Sequence, residues 1–312
     1  MLQLIGRDLG LTENVDPQVI VSRTQMRADV AASEFGFASG SADLASVLKR
    51  DDIDVVYVAT PHSLHFEQAM AALKAGKHVL VEKAMTPSAA QTRELCELAQ
   101  SSGLFLMEAM WTAFNPAIVE MRRRVAAGDI GDVQSVHANF CIGMPYSAEH
   151  RLWAQELAGG STLDQGVYTL SLAHMLLGAP ASIAAHGTVL HGVDADVVAT
   201  LTYHAGQRAV CANGLTSWSP LSAYISGSQG WIEIAGPFWS TDGFLHRHPD
   251  RGPSAQAEEF TYQREGMGYV PMLRAVSSAI LEGRTQLDQR PHAESIAVAE
   301  SMDEVLRQVH QS

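Results

Sequence analysis

Cysteine is scarce in this chain: Cys96, Cys141 and Cys211 are scattered and share no paired spacing. A disulfide framework or a cysteine-ligated metal centre needs such spacing, so the three are expected to be reduced thiols of a cytoplasmic protein. Long apolar runs are also missing. Nothing approaches the ~20 residues that span a bilayer, and the stretch from Met1 to Asp8 lacks the apolar core of a signal peptide. Positive charge is the third shortage: 21 Lys and Arg against 34 Asp and Glu give 21 − 34 = −13. That balance argues against a broad phosphate-binding surface, and so against nucleic acid as a partner. The run Arg122-Arg123-Arg124 is local and reads as a solvated helix face. Repeats, low-complexity tracts and a flexible linker are absent from the sequence as well.

What is present has the composition of an ordinary globular protein, 46% hydrophobic and 18% charged over 312 residues. A chain of that length exceeds what one core usually supports and points to about two domains. In the first third, short β-branched runs alternate with helical patterns. Val19-Ile20-Val21 precedes a helix over Met26–Glu34. Val55 to Ala59 precedes one over His65–Ala75, and Val79-Leu80-Val81 precedes one over Ser88–Ser101. Leu104 to Met107 then leads to Trp111. Buried runs with helical crossovers are the signature of a parallel α/β sheet. Gly76 and Gly103 stand where helices should stop. After Gly131 the pattern turns to alternation, in Val133–Phe140, Ala181–Val189, Ala195–His204, Gln207–Leu215, Ala223–Ser226 and Gly230–Ala235. One helix, Gly166–Leu177, falls among them, and Val270–Glu282 and Ala293–Gln308 close the chain as helices. This predicts an α+β second domain with a mostly antiparallel open sheet, and domains at 1–114 and 115–312.

Three polar stretches sit where such a fold places ligands, at the carboxyl ends of strands. Ala59-Thr60-Pro61-His62-Ser63-Leu64-His65 is either a polar turn with His65 starting a helix or a ligand edge. Its two histidines lack a third partner or His-Glu-x-x-His spacing, so no metal is assigned. Glu82-Lys83 is either a surface ion pair at a helix start or a ligand edge, from which Lys83 could reach a bound substrate. Gly159-Gly160 to Tyr168 is more specific: in a helix from Leu163, Asp164 and Tyr168 share a face at i and i+4. A free tyrosine, with a pKa of about 10, is a poor base at neutral pH, and a nearby ammonium such as Lys83 would lower it. The other reading is a core tyrosine with a polar neighbour. Ser22-Arg23 closes the first strand, where an acid would bind a ribose 2′-hydroxyl and an arginine a 2′-phosphate; this favours NADP, with NAD as second candidate.

Taken together, Ala59 to His65, Ala75-Gly76-Lys77-His78-Val79-Leu80-Val81-Glu82-Lys83, Leu104 to Thr112, Gly159 to Tyr168 and Gly192-Val193-Asp194 resemble the Gfo/Idh/MocA oxidoreductases. Within that family they look closest to the trans-1,2-dihydrobenzene-1,2-diol dehydrogenases and NADP-dependent D-xylose dehydrogenases. The resemblance implies a Rossmann domain, a C-terminal α/β domain, and hydride transfer between NADP and a sugar or vicinal diol. It implies Tyr168 as general acid/base, Lys83 lowering its pKa and positioning the reacting hydroxyl, and Asp164 as a further catalytic group. Trp111 would wall the site beside the nicotinamide, and Trp111, Phe140, Asp164 and Tyr168 would meet the substrate. The cofactor would lie along Ser22, Arg23, Ala59, Thr60, Pro61, His62, His65, Glu82, Lys83 and Trp111. Phe114, His150, Arg151 and Trp153 fall in pocket stretches without a defined role. A homodimer or higher homo-oligomer is expected.

Two departures stand out. The family opens with a strand and a Gly-x-Gly-x-x-Gly turn, and the sequence has neither; it starts within the first helix, near Leu2 to Leu11. The expected parallel sheet therefore lacks its first strand, roughly 15 residues with the turn. The expectation is a start codon assigned too far downstream; the other reading is a cofactor-impaired, non-catalytic sugar-binding or regulatory homologue. The family's Glu-Lys-Pro reads Glu82-Lys83-Ala84. Cis bonds are rare before residues other than proline, so a trans bond with a displaced ammonium is expected.

Overall fold

The computed structural model describes residues 2–248 and 257–311. Helix α1 (Leu2–Leu9) is followed by β1 (Val19–Val21), α2 (Gln25–Phe35), β2 (Ser39–Ser41) and α3 (Leu44–Leu48). Next come β3 (Val55–Val58), α4 (His62–Lys74), β4 (His78–Val81), α5 (Ala89–Ser102) and β5 (Leu106–Glu108). The strands are parallel, β3–β4–β5 with Val58 opposite Val81 and Val81 opposite Glu108, and β1–β2 with Val19 opposite Ser39. β4 is central and covered on both faces, which is why it reads as an unbroken apolar run: Val79, Leu80 and Val81 are at most 2% exposed. The helices start and stop on local signals. Thr24 and Ser88 cap α2 and α5 by accepting from Arg27 N and Gln91 N, and Gly36 and Gly103 end them at positive φ.

β1 and β2 form a sheet of their own. Among the described residues β1 pairs only with β2 and β3 only with β4, so the parallel layer is split between β1 and β3. The expectation of a parallel sheet without one central strand is met. β2, Ser39-Gly40-Ser41, has no apolar residue and escapes a hydrophobic pattern. Gly40 is required there because a Cβ would stand 2.4 Å from the Ala28 carbonyl carbon of α2.

From β5 the chain passes through a 3₁₀ turn (Trp111–Phe114) into α6 (Pro116–Ala127), capped by Asn115. Arg123 and Arg124 of α6 pair with Glu120, close to the solvated face expected for that run. There follow β6 (Val133–Cys141), α7 (Val167–Leu177), β7 (Ser182–Leu190), β8 (Val193–Thr202) and β9 (Arg208–Gly214). The chain continues through β10 (Ala223–Gly227), β11 (Trp231–Ile234), β12 (Gly243–Arg247), β13 (Glu258–Thr261), α8 (Val270–Leu281) and α9 (His292–Gln311). The eight strands run in the order β13-β12-β11-β10-β6-β9-β8-β7, antiparallel except for β6 beside β9. Helices α7 and α9 cover one face. In β8, Val197, Ala199 and Leu201 point into that core, while Val198 on the other face is 50% exposed. β12, β13 and α3 were not expected as elements, α6 only as a helix face about Arg122–Arg124, and α4 starts at His62 rather than His65.

Helix α9 also packs on α5 of the first unit. Just before it, the fully buried Arg290 guanidinium pairs with Glu108 at the end of β5, and Ser295 Oγ donates to the same carboxylate at 3.1 Å. The other oxygen of Glu108 accepts from Met85 N at 2.9 Å, so the segment following Lys83 is held by the same carboxylate.

Candidate active site

The carboxyl ends of β3, β4 and β5 deliver the Thr60-Pro61 turn, Glu82-Lys83 and Trp111 to one side of the sheet, where α7 presents Tyr168. Lys83 Nζ donates to Asp164 Oδ1 and to the Asp164 carbonyl, both at 2.8 Å, and lies 4.9 Å from the centroid of the Tyr168 ring. Trp111 Nε1 donates to Tyr168 OH at 2.9 Å. Arg151 Nη2 reaches Asp164 Oδ1 at 3.0 Å. Lys83, Asp164, Tyr168 and Trp111, expected to act together, are brought together.

The local backbone differs from expectation. Thr162–Gly166 is π-helical before α7 begins, so Asp164 and Tyr168 do not share a regular α-helical face. The Asp164 carboxylate instead engages Lys83 and Arg151. The turn is anchored by Asp194, whose buried carboxylate accepts from Thr162 N at 2.7 Å and Ser161 Oγ at 3.1 Å. Gly160, at φ +113, is required beside it, because a Cβ would stand 2.0 Å from Asp194 Oδ1. The Gly159-Gly160 and Gly192-Val193-Asp194 stretches therefore meet.

The Lys83–Ala84 bond is cis, where trans was expected. Its surroundings grip it from both sides: His62 Nε2 lies 3.2 Å from the Lys83 carbonyl and His65 Nδ1 2.9 Å from the Ala84 carbonyl. The Lys83 ammonium rests on Asp164 at 2.8 Å and is not displaced from the site. The other ring nitrogens of His62 and His65 face the Ala158 and Thr60 carbonyls at 3.2 and 2.8 Å, so both histidines serve the backbone of the site. Burial lowers His62 to about 3 and also lowers His65.

Burial also decides the electrostatics of the acidic groups. It pushes Tyr168 up to about 12, outweighing the downward pull of the Lys83 ammonium. Lys83 acts in the expected direction without setting the sign, and the resting group is a phenol. Burial opposes the charge of Lys83, but Asp164 and Tyr168 outweigh it and raise its pKa. Burial likewise opposes the Asp164 carboxylate, and Lys83 and then Arg151 overcome it and hold it low. Glu82, read as a surface acid or part of a cofactor edge, is 3% exposed; burial raises it to about 7, and it accepts from the Tyr57 hydroxyl and from Lys83 N.

Aromatic walls complete the cluster. Trp239 stacks on Phe140 at 3.6 Å and tilts against Tyr168 at 5.8 Å, and Tyr269 stacks on Trp111 at 4.8 Å. Trp239, Tyr269 and Tyr57 were not anticipated: they come from a loop before β12, the start of α8 and mid-β3, with no motif around them. Ser22 and Arg23 lie at the carboxyl end of β1, with Arg23 exposed, and Ala59 is exposed at the end of β3. These three make no contact with Lys83 or Tyr168 among the described hydrogen bonds; Ala59 ends a strand of the sheet that carries Lys83, while Ser22 and Arg23 follow β1 in the separate two-stranded sheet. A depression of about 650 Å³ lined by Leu11, Gln263, Arg264, Glu265, Gly266 and Val270 shares no residue with the cluster, and the assignment rests on the converging ionisable groups.

Residues 7–110 match the oxidoreductase family with an NAD-binding Rossmann fold, and 118–233 match the GFO/IDH/MocA C-terminal domain. Trans-1,2-dihydrobenzene-1,2-diol dehydrogenase of Sus scrofa is 33% identical over 299 residues, covering 93% of this chain and 88% of that protein. D-xylose 1-dehydrogenase (NADP(+)) of Hypocrea jecorina is 33% identical over 287 residues, covering 82% and 73%. The structure of a 3-ketoreductase from Actinomadura kijaniata in complex with NADP and TDP-benzene superposes with a TM-score of 0.86 at 27% identity, covering 98% of this chain and 94% of that one. The chain belongs to the Gfo/Idh/MocA family of oxidoreductases, with an NAD(P)-binding Rossmann domain.

Proposed function

We propose that the protein is an NADP-dependent oxidoreductase that interconverts a hydroxyl and a carbonyl on a sugar or vicinal diol, with Tyr168 as the proton-transfer group. The observation that carries this is the convergence of Lys83, Asp164 and Tyr168 under the Trp111 indole. A bound nicotinamide coenzyme would supply or accept the hydride. The chain's own work is with the proton. Tyr168 rests as a phenol, so it is poised to donate to a carbonyl oxygen as that oxygen gains charge. Once its proton leaves, the Trp111 N–H and the Lys83 ammonium stabilise the phenolate. In the oxidative direction the same oxygen takes the hydroxyl proton. Asp164 holds the ammonium on station, and Arg151, which shares the same carboxylate oxygen, adds a donor for substrate hydroxyls.

The residues fit a dinucleotide at both ends. Arg23 is exposed at the carboxyl end of β1 and, among the described residues, makes no salt bridge, leaving its guanidinium for a 2′-phosphate. Thr60, Pro61, His62 and Glu82 lie along the edge towards Trp111. The sequence offers no Gly-x-Gly-x-x-Gly turn for the pyrophosphate. The relatives named a diol dehydrogenase and an NADP-dependent xylose dehydrogenase support this substrate class and cofactor, and no relative supports a non-catalytic role.

The test pairs NADPH fluorescence titration with turnover of D-xylose and of cyclic trans-diols. Tyr168→Phe should lower kcat roughly 100- to 10,000-fold while leaving coenzyme affinity within a factor of a few. Full activity in that variant would sink the proposal, and so would tighter binding of NADH than NADPH for its cofactor half.

A further inference from the structure

His246 and Arg247 end β12 and His248 follows directly, with the two histidines two residues apart. Their rings lie 3.9 Å apart between centroids. In the neighbouring strand β13, Glu258 stands directly opposite His246 in the antiparallel register. Its Oε2 is 3.9 Å from His246 Nδ1 and 3.9 Å from His248 Nε2. One nitrogen from each histidine and one carboxylate oxygen all lie within 4.8 Å of one another.

The histidine at the centre is the telling one. His246 is 2% exposed, and neither of its ring nitrogens has a hydrogen-bond partner among the described residues. A buried imidazole with two unsatisfied nitrogens is costly and calls for a ligand. We propose that His246, His248 and Glu258 form a binding site for one divalent transition-metal ion of the zinc type, separate from the Lys83–Tyr168 cluster.

Two imidazoles and a carboxylate are a donor set that zinc accepts, with bonds of about 2.0–2.2 Å and a fourth position left for water. Ligand atoms around such an ion lie about 3.3 Å apart, so the side chains close by a fraction of an ångström to about 1.5 Å, within reach of small torsional changes. His248 and Glu258 are partly exposed and can move, while the buried His246 is the fixed member. The nearby Arg124 guanidinium is already neutralised by Glu120 and Asp129 and lies over the Phe260 ring at 3.8 Å.

The test uses the untagged full chain, stripped with EDTA and titrated with zinc chloride by calorimetry, alongside His248→Ala and Glu258→Gln. Both substitutions fall at partly exposed positions. Wild type should take up zinc with one site that weakens at least ~10-fold in either variant, with a zinc-dependent rise in Tm that the variants lose. Cobalt(II) should bind competitively and give the visible spectrum of a low-coordinate N/O site. Equal zinc uptake by all three proteins, or none by wild type, would overturn the proposal.

Discussion

At the scale of single residues, the site sets buried charge against buried charge, and each outcome follows from which effect is larger. Glu82 gives a measurable case. Burial raises it to about 7, while in the unfolded chain it titrates near its usual 4.5. As pH rises from 4.5 towards 7, the unfolded chain releases this proton and the folded chain keeps it, so stability is lost across that window. Below it the contribution is fully present. Glu82→Gln removes this loss and should be more stable than wild type by up to roughly 3 kcal/mol at pH 8, with little difference near pH 4. Urea unfolding at the two pH values checks it, and equal differences at both would contradict it. The identities of Lys83, Tyr168 and Trp111 were legible in the sequence because strand ends and family-like motifs mark them. The sign of the Tyr168 shift was not, because it depends on how deeply the ring is buried.

At the scale of elements, apolar β-branched runs made β1, β3, β4 and most of the large sheet readable, and Gly76 and Gly103 marked where two helices end. Elements without that signal escaped. β2 has only Ser and Gly, and its place is set by the close approach of α2. The π-helical turn at Thr162–Gly166 leaves no mark in periodicity, so the pairing of Asp164 with Lys83 and Arg151 had to be seen. Neither Glu108 nor Arg290 stood out, 182 residues apart, yet their buried ion pair joins β5 to the start of α9. Arg290→Ala leaves the Glu108 carboxylate buried without its cation and should cost about 3–5 kcal/mol. Arg290→Met combined with Glu108→Gln should cost less than the single change. Denaturant midpoints with matched m-values test both, and a loss below about 1 kcal/mol for Arg290→Ala would show the pair to be dispensable.

At the scale of the whole molecule, the large sheet is covered by helices on one face only. Val198, 50% exposed, and Tyr224, 38% exposed, lie on the uncovered face. We propose that two copies pair through it, as a sheet with one apolar-flecked open face favours. Light scattering after size exclusion should give a dimer at micromolar concentration, and Val198→Asp should shift it to monomer. A wild-type monomer at that concentration would refute the pairing. Among the described residues no helix is long and apolar enough to cross a membrane.

The contacts of α9 have a consequence for how the two halves can move. Its N-terminal end is bolted to β5 through Ser295 and Glu108, whose carboxylate also takes the N–H of the Ala84–Met85 peptide, its middle lies on α5 through Arg93–Glu300 and Ala89 N to Asp303, and its far end lies under the large sheet. A hinge between the two halves would have to break all of these together. The connection between β6 and the π-turn is tied into the same frame, through Arg151 to Asp164 and through the Ala158 carbonyl to His62, so the residues about Tyr168 are held from both halves at once.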